Sequence, residues 1–318
     1  MNMTAEKPGT RVVVVGSANL DIVVRQQRLA RPGETVRGHQ ISMESGGKGL
    51  NQAVALARAG APVTFLGRIG RDVFGYMLRR TLVAEGIDVT NLVADRNRFT
   101  GSAIVSVLDD GENSIVVVAG ANESDEWTSR ENAAVQGVGA VVAQLERPIP
   151  LIRTAFAAAR RIGVPTFLTP APVSPDVREL LDLTDVLLLN EGEAREIAGE
   201  PETTQAARAL SREVGLVVLT RGAQSTLITR NGAVVHEEPA RTVPTLDTTS
   251  AGDCFAGYFI RGLVAGHDIS RSARDATTAA SLCVQRPGSS SSIPSLNEVR
   301  EADSGGRGGA EQLLSSDR

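Results

Sequence analysis

The stretch RVVVVGSANLD, residues 11–21, runs four valines into a turn of small residues that ends on Asn19 and Asp21. A short β-branched run of this kind reads as a strand. It recurs as VTFLG at 63–67, AVVAQLE at 140–146, TFLTP at 166–170, DVLLLN at 185–190 and LVVLT at 216–220, with longer helical patterns between. Such alternation predicts βαβ units around a mostly parallel sheet. The helix stops agree: NQAVALARAG closes on Gly60 ahead of Pro62, and GYMLRRTLVAEG closes on Gly86. After the first strand the chain reads VVGSANLD rather than GxGxxG, which argues against a dinucleotide-dependent oxidoreductase.

Two regions break the rhythm. Residues 22–42 hold the PGETV turn and no helical period, and residues 101–118 read as two strands joined by DDGEN. Both fit a small antiparallel accessory sheet. STLITRNGAVVH at 225–236 is a further hairpin, with Asn231-Gly232 at its turn. From about Glu301 the chain is rich in Ser, Gly and charge, so 1–300 is expected to form a single α/β domain and 301–318 a flexible tail.

Composition limits the function classes. The 318 residues are 42% hydrophobic and 22% charged, as in an ordinary globular protein; aromatics are only 3%, so the core must be aliphatic. A net charge of −4 without a basic run argues against nucleic acid and anionic membrane surfaces. Two cysteines, Cys254 and Cys283, are too few for a disulfide framework and lack metal-site spacing. With no apolar signal region and no run approaching a membrane span, a cytoplasmic enzyme or binding protein for small molecules is expected.

Four segments carry possible chemistry. Ser45-Gly46-Gly47-Lys48-Gly49-Leu50-Asn51 opens a helix with three glycines, so backbone amides can approach a ligand at a positive helix end, or the glycines can simply make a turn. It is not a P-loop, because Ser42 stands where the first Gly belongs and Gly49 where Ser or Thr would bind magnesium. Asp247-Thr248-Thr249-Ser250-Ala251-Gly252-Asp253 places small residues and a carboxylate at the start of an apolar helix. That carboxylate can take a proton from an attacking hydroxyl or merely complement the helix dipole, and the residues alone leave both open. Asn19 and Asp21, at the carboxyl end of a strand, can bind hydroxyls or form an Asx turn with a helix cap. Asn190 and Glu193 can likewise cap a helix or contact magnesium or phosphate.

In this order, these segments resemble the ribokinase (PfkB) family of carbohydrate kinases over roughly residues 11–300. GGKGLNQAVALARAG at 46–60 resembles the family's N-terminal signature and DTTSAGDCFAGYF at 247–259 its C-terminal one. PGETV, TGSAIVSVLDDGENSIVVVAGAN and RPGSSSSIP are closer to the ribose-phosphorylating branch than to the fructose or adenosine branches. The resemblance implies a three-layer α/β/α fold whose accessory sheet is a lid and dimer clasp, and an enzyme phosphorylating the primary hydroxyl of a sugar with ATP and Mg2+.

It also implies roles, residue by residue. Asn19, Asp21, Gly47, Lys48, Asn51 and Glu146 match the sugar-binding positions, and Asn190, Glu193, Thr220, Gly222, Ser225 and Gly252 the nucleotide positions. Asp253 matches the catalytic base, and the amides of Ala251, Gly252 and Asp253 the anion hole. Asp247, Thr249, Cys283, Arg286, Gly288 and Ser292 match a potassium site, several through carbonyls. Two departures stand out: Ser250 replaces a frequent glycine, and Pro287 sits in the cation-site turn. The alternatives are a kinase of the same fold acting on deoxyribose, fructose or adenosine, and a catalytically silent sugar-binding protein.

Overall fold

The computed structural model describes residues 9–110 and 112–304. Its strands are β1 (Val12–Val15), β2 (Asn19–Gln26), β3 (Gly38–Gly46), β4 (Val63–Gly70), β5 (Leu92–Asp95), β6 (Gly101–Leu108), β7 (Asn113–Val118), β8 (Ala140–Gln144), β9 (Thr166–Thr169), β10 (Val186–Asn190), β11 (Leu216–Thr220), β12 (Ser225–Arg230) and β13 (Ala233–Pro239). Helices are α1 (Lys48–Arg58), α2 (Val73–Ala84), α3 (Ser129–Ala134), α4 (Ile149–Arg160), α5 (Arg178–Leu181), α6 (Glu191–Ala198), α7 (Thr203–Val214), α8 (Ala251–Val264) and α9 (Ile269–Cys283). The main sheet runs β13-β12-β11-β10-β9-β8-β1-β4-β5, parallel from β11 to β5, with β12 and β13 antiparallel at one edge.

The valines of β1 explain the layering. Side chains alternate across a strand, so Val12 and Val14 enter one core with α1, α2, α8 and α9, while Val13 and Val15 enter a second with α4, α6 and α7. All four are at most 1% exposed, as a parallel strand covered on both faces requires. The expected α/β/α sandwich is therefore present. Asn231 and Gly232 both adopt positive φ at the β12–β13 turn, as that hairpin predicts.

A second sheet, order β3-β2-β6-β7, is the accessory sheet. Its β2 starts at Asn19 and its β3 ends at Gly46, so the sheet extends beyond the expected 22–42. Asn19 and Asp21 lie in extended β2, paired with Gly46 and Glu44 of β3, and not in an Asx turn capping a helix. The pairing of nineteen with forty-six makes the sheet continuous with the glycine segment that starts α1. At the other end, a helix covers residues 296–304, and Arg241 bonds the Ala302 carbonyl and pairs with Asp303 at 2.9 Å. The ordered chain thus passes the expected boundary at 300, and the rest of the expected tail lies outside the described residues.

Close backbone approach brings the two glycine-rich segments together. A Cβ on Gly49 would lie 2.4 Å from both Gly16 Cα and Ser17 N, so only glycine lets α1 start against the turn after β1. One on Gly257 would lie 2.4 Å from Ala55 Cβ, where α8 packs on α1. Backbone at Gly16 cannot yield as a side chain does. Gly49→Ala is therefore expected to lower unfolding free energy by about 3 kcal/mol or more in urea titrations; a loss under about 1 kcal/mol would show that the contact relaxes.

Candidate active site

Asp253 occupies the first turn of α8 and is only 7% exposed. Its carboxylate accepts from Asn51 Nδ2 at 3.1 Å and Gln52 Nε2 at 2.9 Å, both on α1. Burial pushes the Asp253 carboxyl up, while the Lys48 charge and the two amide donors oppose that rise. An acid that only complemented a helix dipole would face solvent. This one is enclosed by neutral donors from another helix.

The loop before α8 is held just as firmly. Ser250 is in the left-handed region at φ 61, which costs a non-glycine residue about 1 kcal/mol. Its Oγ accepts from Asn51 Nδ2 at 2.9 Å and lies 3.1 Å from Ser289 Oγ, so hydrogen bonds offset the strain that the family's glycine would avoid. Ala251 N donates to Thr248 O at 3.2 Å. The amides of Gly252 and Asp253 keep the unpaired donors of a helix start, and Gly252 faces open space. Of the three amides expected in an anion hole, two have no backbone acceptor among the described residues.

A carboxylate cluster lies at the lid side. Glu146, just after β8, accepts from Lys48 N at 3.0 Å and Ser17 Oγ at 2.5 Å. Asn19 Oδ1 accepts from Asn122 Nδ2 at 2.7 Å, and Asn122 also bonds both backbone groups of Ala18. Asp21 is raised to about 7 by burial first and then by the charges of Glu146 and Glu44. Three carboxylates with few cations suit a neutral, hydroxyl-rich ligand that donates to them.

On the other side, Asn190 caps α6: its Oδ1 accepts from Glu193 N at 3.0 Å, and its own N donates to Glu193 Oε2 at 2.9 Å. The capping reading of this pair therefore holds. Burial raises Glu193, which also senses Lys48 and Asp253. Thr220 ends β11 beside Asn190 in register, Gly222 turns the chain at φ 57, and Ser225 Oγ donates to Glu237 at 2.7 Å. These line the carboxyl ends of β10 and β11, where open α/β sheets bind ligands.

The residues expected at a cation site fall into two touching loops. Asp247 accepts from Thr249 N at 2.8 Å and Gly288 N at 3.1 Å, and Cys283 Sγ lies 3.1 Å from Ser292 Oγ and 3.9 Å from Thr249 O. The Arg286 guanidinium instead pairs with Glu298 at 2.5 Å, leaving only its backbone to face the loop. Pro287 does not detach this turn, since Gly288 and Ser289 donate to Asp247 and Glu44. No group of three or more His, Cys, Asp or Glu among the described residues could hold a metal ion.

The geometry also reveals residues that sequence patterns did not single out. Gln144 Nε2 donates to Gln52 Oε1 at 2.6 Å, orienting the amide that faces Asp253. Only Gln52's place next to Asn51 could have drawn attention to it. Ser17 and Asn122 are the others, each tying a residue expected at the sugar site to the turn after β1.

A family model described as pfkB family carbohydrate kinase matches residues 9–296. The chain belongs to that family. This kinase is 38% identical over 302 residues to ribokinase of Staphylococcus aureus (strain COL), covering 92% of this chain and 99% of the relative. To ribokinase of Haemophilus influenzae it is 35% identical over 298 residues, 91% of this chain and 97% of the relative. Among solved structures, Arabidopsis thaliana ribokinase complexed with ribose and ATP superposes at TM-score 0.86 with 32% identity, covering 92% of this chain and 98% of that one. The resemblance read from the two signatures is thus borne out, as are the fold class and the carbohydrate kinase activity. Among the described residues no helix is long and apolar enough to cross a membrane.

The raised Asp21 has a pH consequence. A folded-state value near 7, above the ordinary 3.8, means its favourable contribution is complete below about pH 3.8 and is lost as pH rises through 7. Asp21→Asn is expected to melt higher than the parent at pH 8.5, with the advantage shrinking at pH 5.5. Equal melting temperatures at both pH values would contradict the burial of this charge.

Proposed function

We propose that this kinase transfers the γ-phosphoryl group of ATP to the primary hydroxyl of D-ribose, giving D-ribose 5-phosphate, with Asp253 as general base. The observation that carries the reading is the buried Asp253 carboxylate, held by Asn51 and Gln52 at the start of a helix with unpaired amides. The ribose and ATP in the Arabidopsis relative, and the ADP in the solved Cryptococcus neoformans ribokinase, support the choice of substrates.

Asn19, Asp21, Gly47, Lys48, Asn51 and Glu146 would hold the sugar, with the carboxylates accepting from its hydroxyls. Asp253 accepts the proton of the primary hydroxyl as that oxygen attacks phosphorus in line and the bond to the ADP oxygen breaks. The amides of Gly252 and Asp253 stabilise the charge on the transferring group, and Ala251 joins them if it leaves Thr248. Asn190, Glu193, Thr220, Gly222 and Ser225 position the nucleotide. Glu193 would help hold magnesium at the ATP phosphates, where the ion would supply charge neutralisation. The lid excludes water and so suppresses ATP hydrolysis.

ADP release is expected to be fastest, per kcat/KM, with ribose in a panel that includes deoxyribose, fructose and adenosine. Preference for another member would move the substrate, and no turnover on any would leave a silent binder. Asp253→Asn is expected to lower kcat by about 10² or more while sugar and ATP affinity hold. Near-normal turnover in that variant would remove the base assignment.

Potassium is the proposed monovalent activator, held by Asp247, Thr249, Cys283, Arg286, Gly288 and Ser292, mainly through oxygen atoms of the two loops. Its charge would steady the anion loop at 250–253. Replacing sodium by potassium at constant ionic strength is expected to raise kcat; equal rates in both salts would dismiss the site.

A homodimer through the lid is proposed as well. Met43, Ile22, Ile104 and Val116 form one row across β3, β2, β6 and β7, on the face opposite Asp21, and Met43, Ile104 and Val116 are exposed. A second copy presenting the same row would cover it. Light scattering is expected to give twice the chain mass, reduced to one chain by Ile104→Lys; a monomeric parent would rule the clasp out.

A further inference from the structure

Outside the site just described, the chain has a cleft of about 710 Å³ between the end of α8, the start of α9 and the helix at 296–304. That volume is in the range of small-molecule sites. Asp253 begins α8 and Arg261 stands eight residues later, about 12 Å along the helix, so the cleft and the catalytic loop sit at opposite ends of one element. The cleft's charges are its notable property.

Four arginines line it: Arg261, Arg271, Arg274 and Arg300. The three aspartates there are already engaged. Asp268 caps α9 by accepting from Arg271 N at 2.7 Å, Asp303 pairs with Arg241 at 2.9 Å, and Asp275 lies 3.8 Å from His267 Nδ1 and 4.0 Å from Arg271 Nε. Arg261, Arg274 and Arg300 form no ion pair with a carboxylate within 4.0 Å among the described residues, although Asp275 senses the charge of Arg274. Arg261 is only partly exposed, and its guanidinium is destabilised by burial and by the charge of Arg300. Its position in the last turn of α8 lets it complement the helix dipole, which accounts for one of the three cations. Arg274 has only the shared Asp275 beside it, and the exposed Arg300 has no ion pair among the described residues, in a chain of net charge −4.

We infer that this cleft binds a small phosphomonoester. A phosphate dianion is compact, carries about two charges and offers three acceptor oxygens to guanidinium forks. The space exceeds what a bare phosphate fills, and Tyr258, Leu296 and Val299 supply an apolar wall for the organic part of the ester. Tyr258 OH donates to Pro294 O at 2.8 Å, so that wall is fixed. The inference is independent of which sugar the kinase phosphorylates.

Calorimetric titration tests it on the full chain, with ribose and a non-hydrolysable ATP analogue present in excess so that the catalytic site is filled. Ribose 5-phosphate and glycerol 3-phosphate serve as probes and glycerol as the uncharged control. Both esters are expected to bind saturably and glycerol not at all. Arg261→Gln combined with Arg300→Gln is expected to weaken binding at least tenfold, and Arg300→Gln alone, on the exposed rim, at least threefold. Should the esters fail to bind the parent, or bind the double variant equally well, the inference is wrong.

Discussion

Everything in the site depends on the buried Asp253 carboxyl, whose upward shift on burial is opposed by Lys48, Asn51 and Gln52. A carboxylate moved out of water without partners takes up a proton instead. Here Asn51 and Gln52 supply two amide donors, and Lys48 a nearby charge. All three come from α1, so the helix that opens with the glycine segment is also the helix that keeps Asp253 ionisable. The near-contact of Gly49 with Gly16 and of Gly257 with Ala55 is what lets α1 reach both the turn after β1 and α8. Packing and electrostatics are here one requirement.

That arrangement also joins parts that are far apart in sequence. Ser289 bonds Asn51 Oδ1 at 3.3 Å, and its amide bonds Glu44 on lid strand β3. Ser290 Oγ donates to the Ser45 carbonyl at 2.8 Å. The turn after α9, the lid base and the Asp253 clamp are therefore linked by single hydrogen bonds. A displacement of β3 has to be felt at Asn51.

Much of the fold was legible in the sequence, because strands buried on both faces are short aliphatic runs that hardly resemble anything else. The six strands marked by such runs all form. The lid boundaries were less legible, since Asn19 and Asp21 are polar and turn-forming by habit; they become strand only because β3 and β6 pair with them. Asp253 itself was ambiguous between dipole partner and base, and its burial, which no local pattern encodes, is what supports the base reading proposed above. Gln52 and Gln144 were invisible for the same reason: an amide acquires its role from what it faces. The Asn190–Glu193 spacing, by contrast, carried its capping role in plain view.

The two sheets differ in how their edges end. At one side of the main sheet, β13 closes with His236, Glu237, Glu238 and Pro239, and at the other β5 is only four residues long. Charges, proline and brevity all discourage another chain from pairing there. Strand β7 has none of these guards: Ile115, Val116, Val117 and Val118 are exposed on an unpaired edge. If chains of this kinase zip together on concentration or during refolding, the seam will run along β7, and a lysine or proline placed in that strand is the change that would keep the protein in solution.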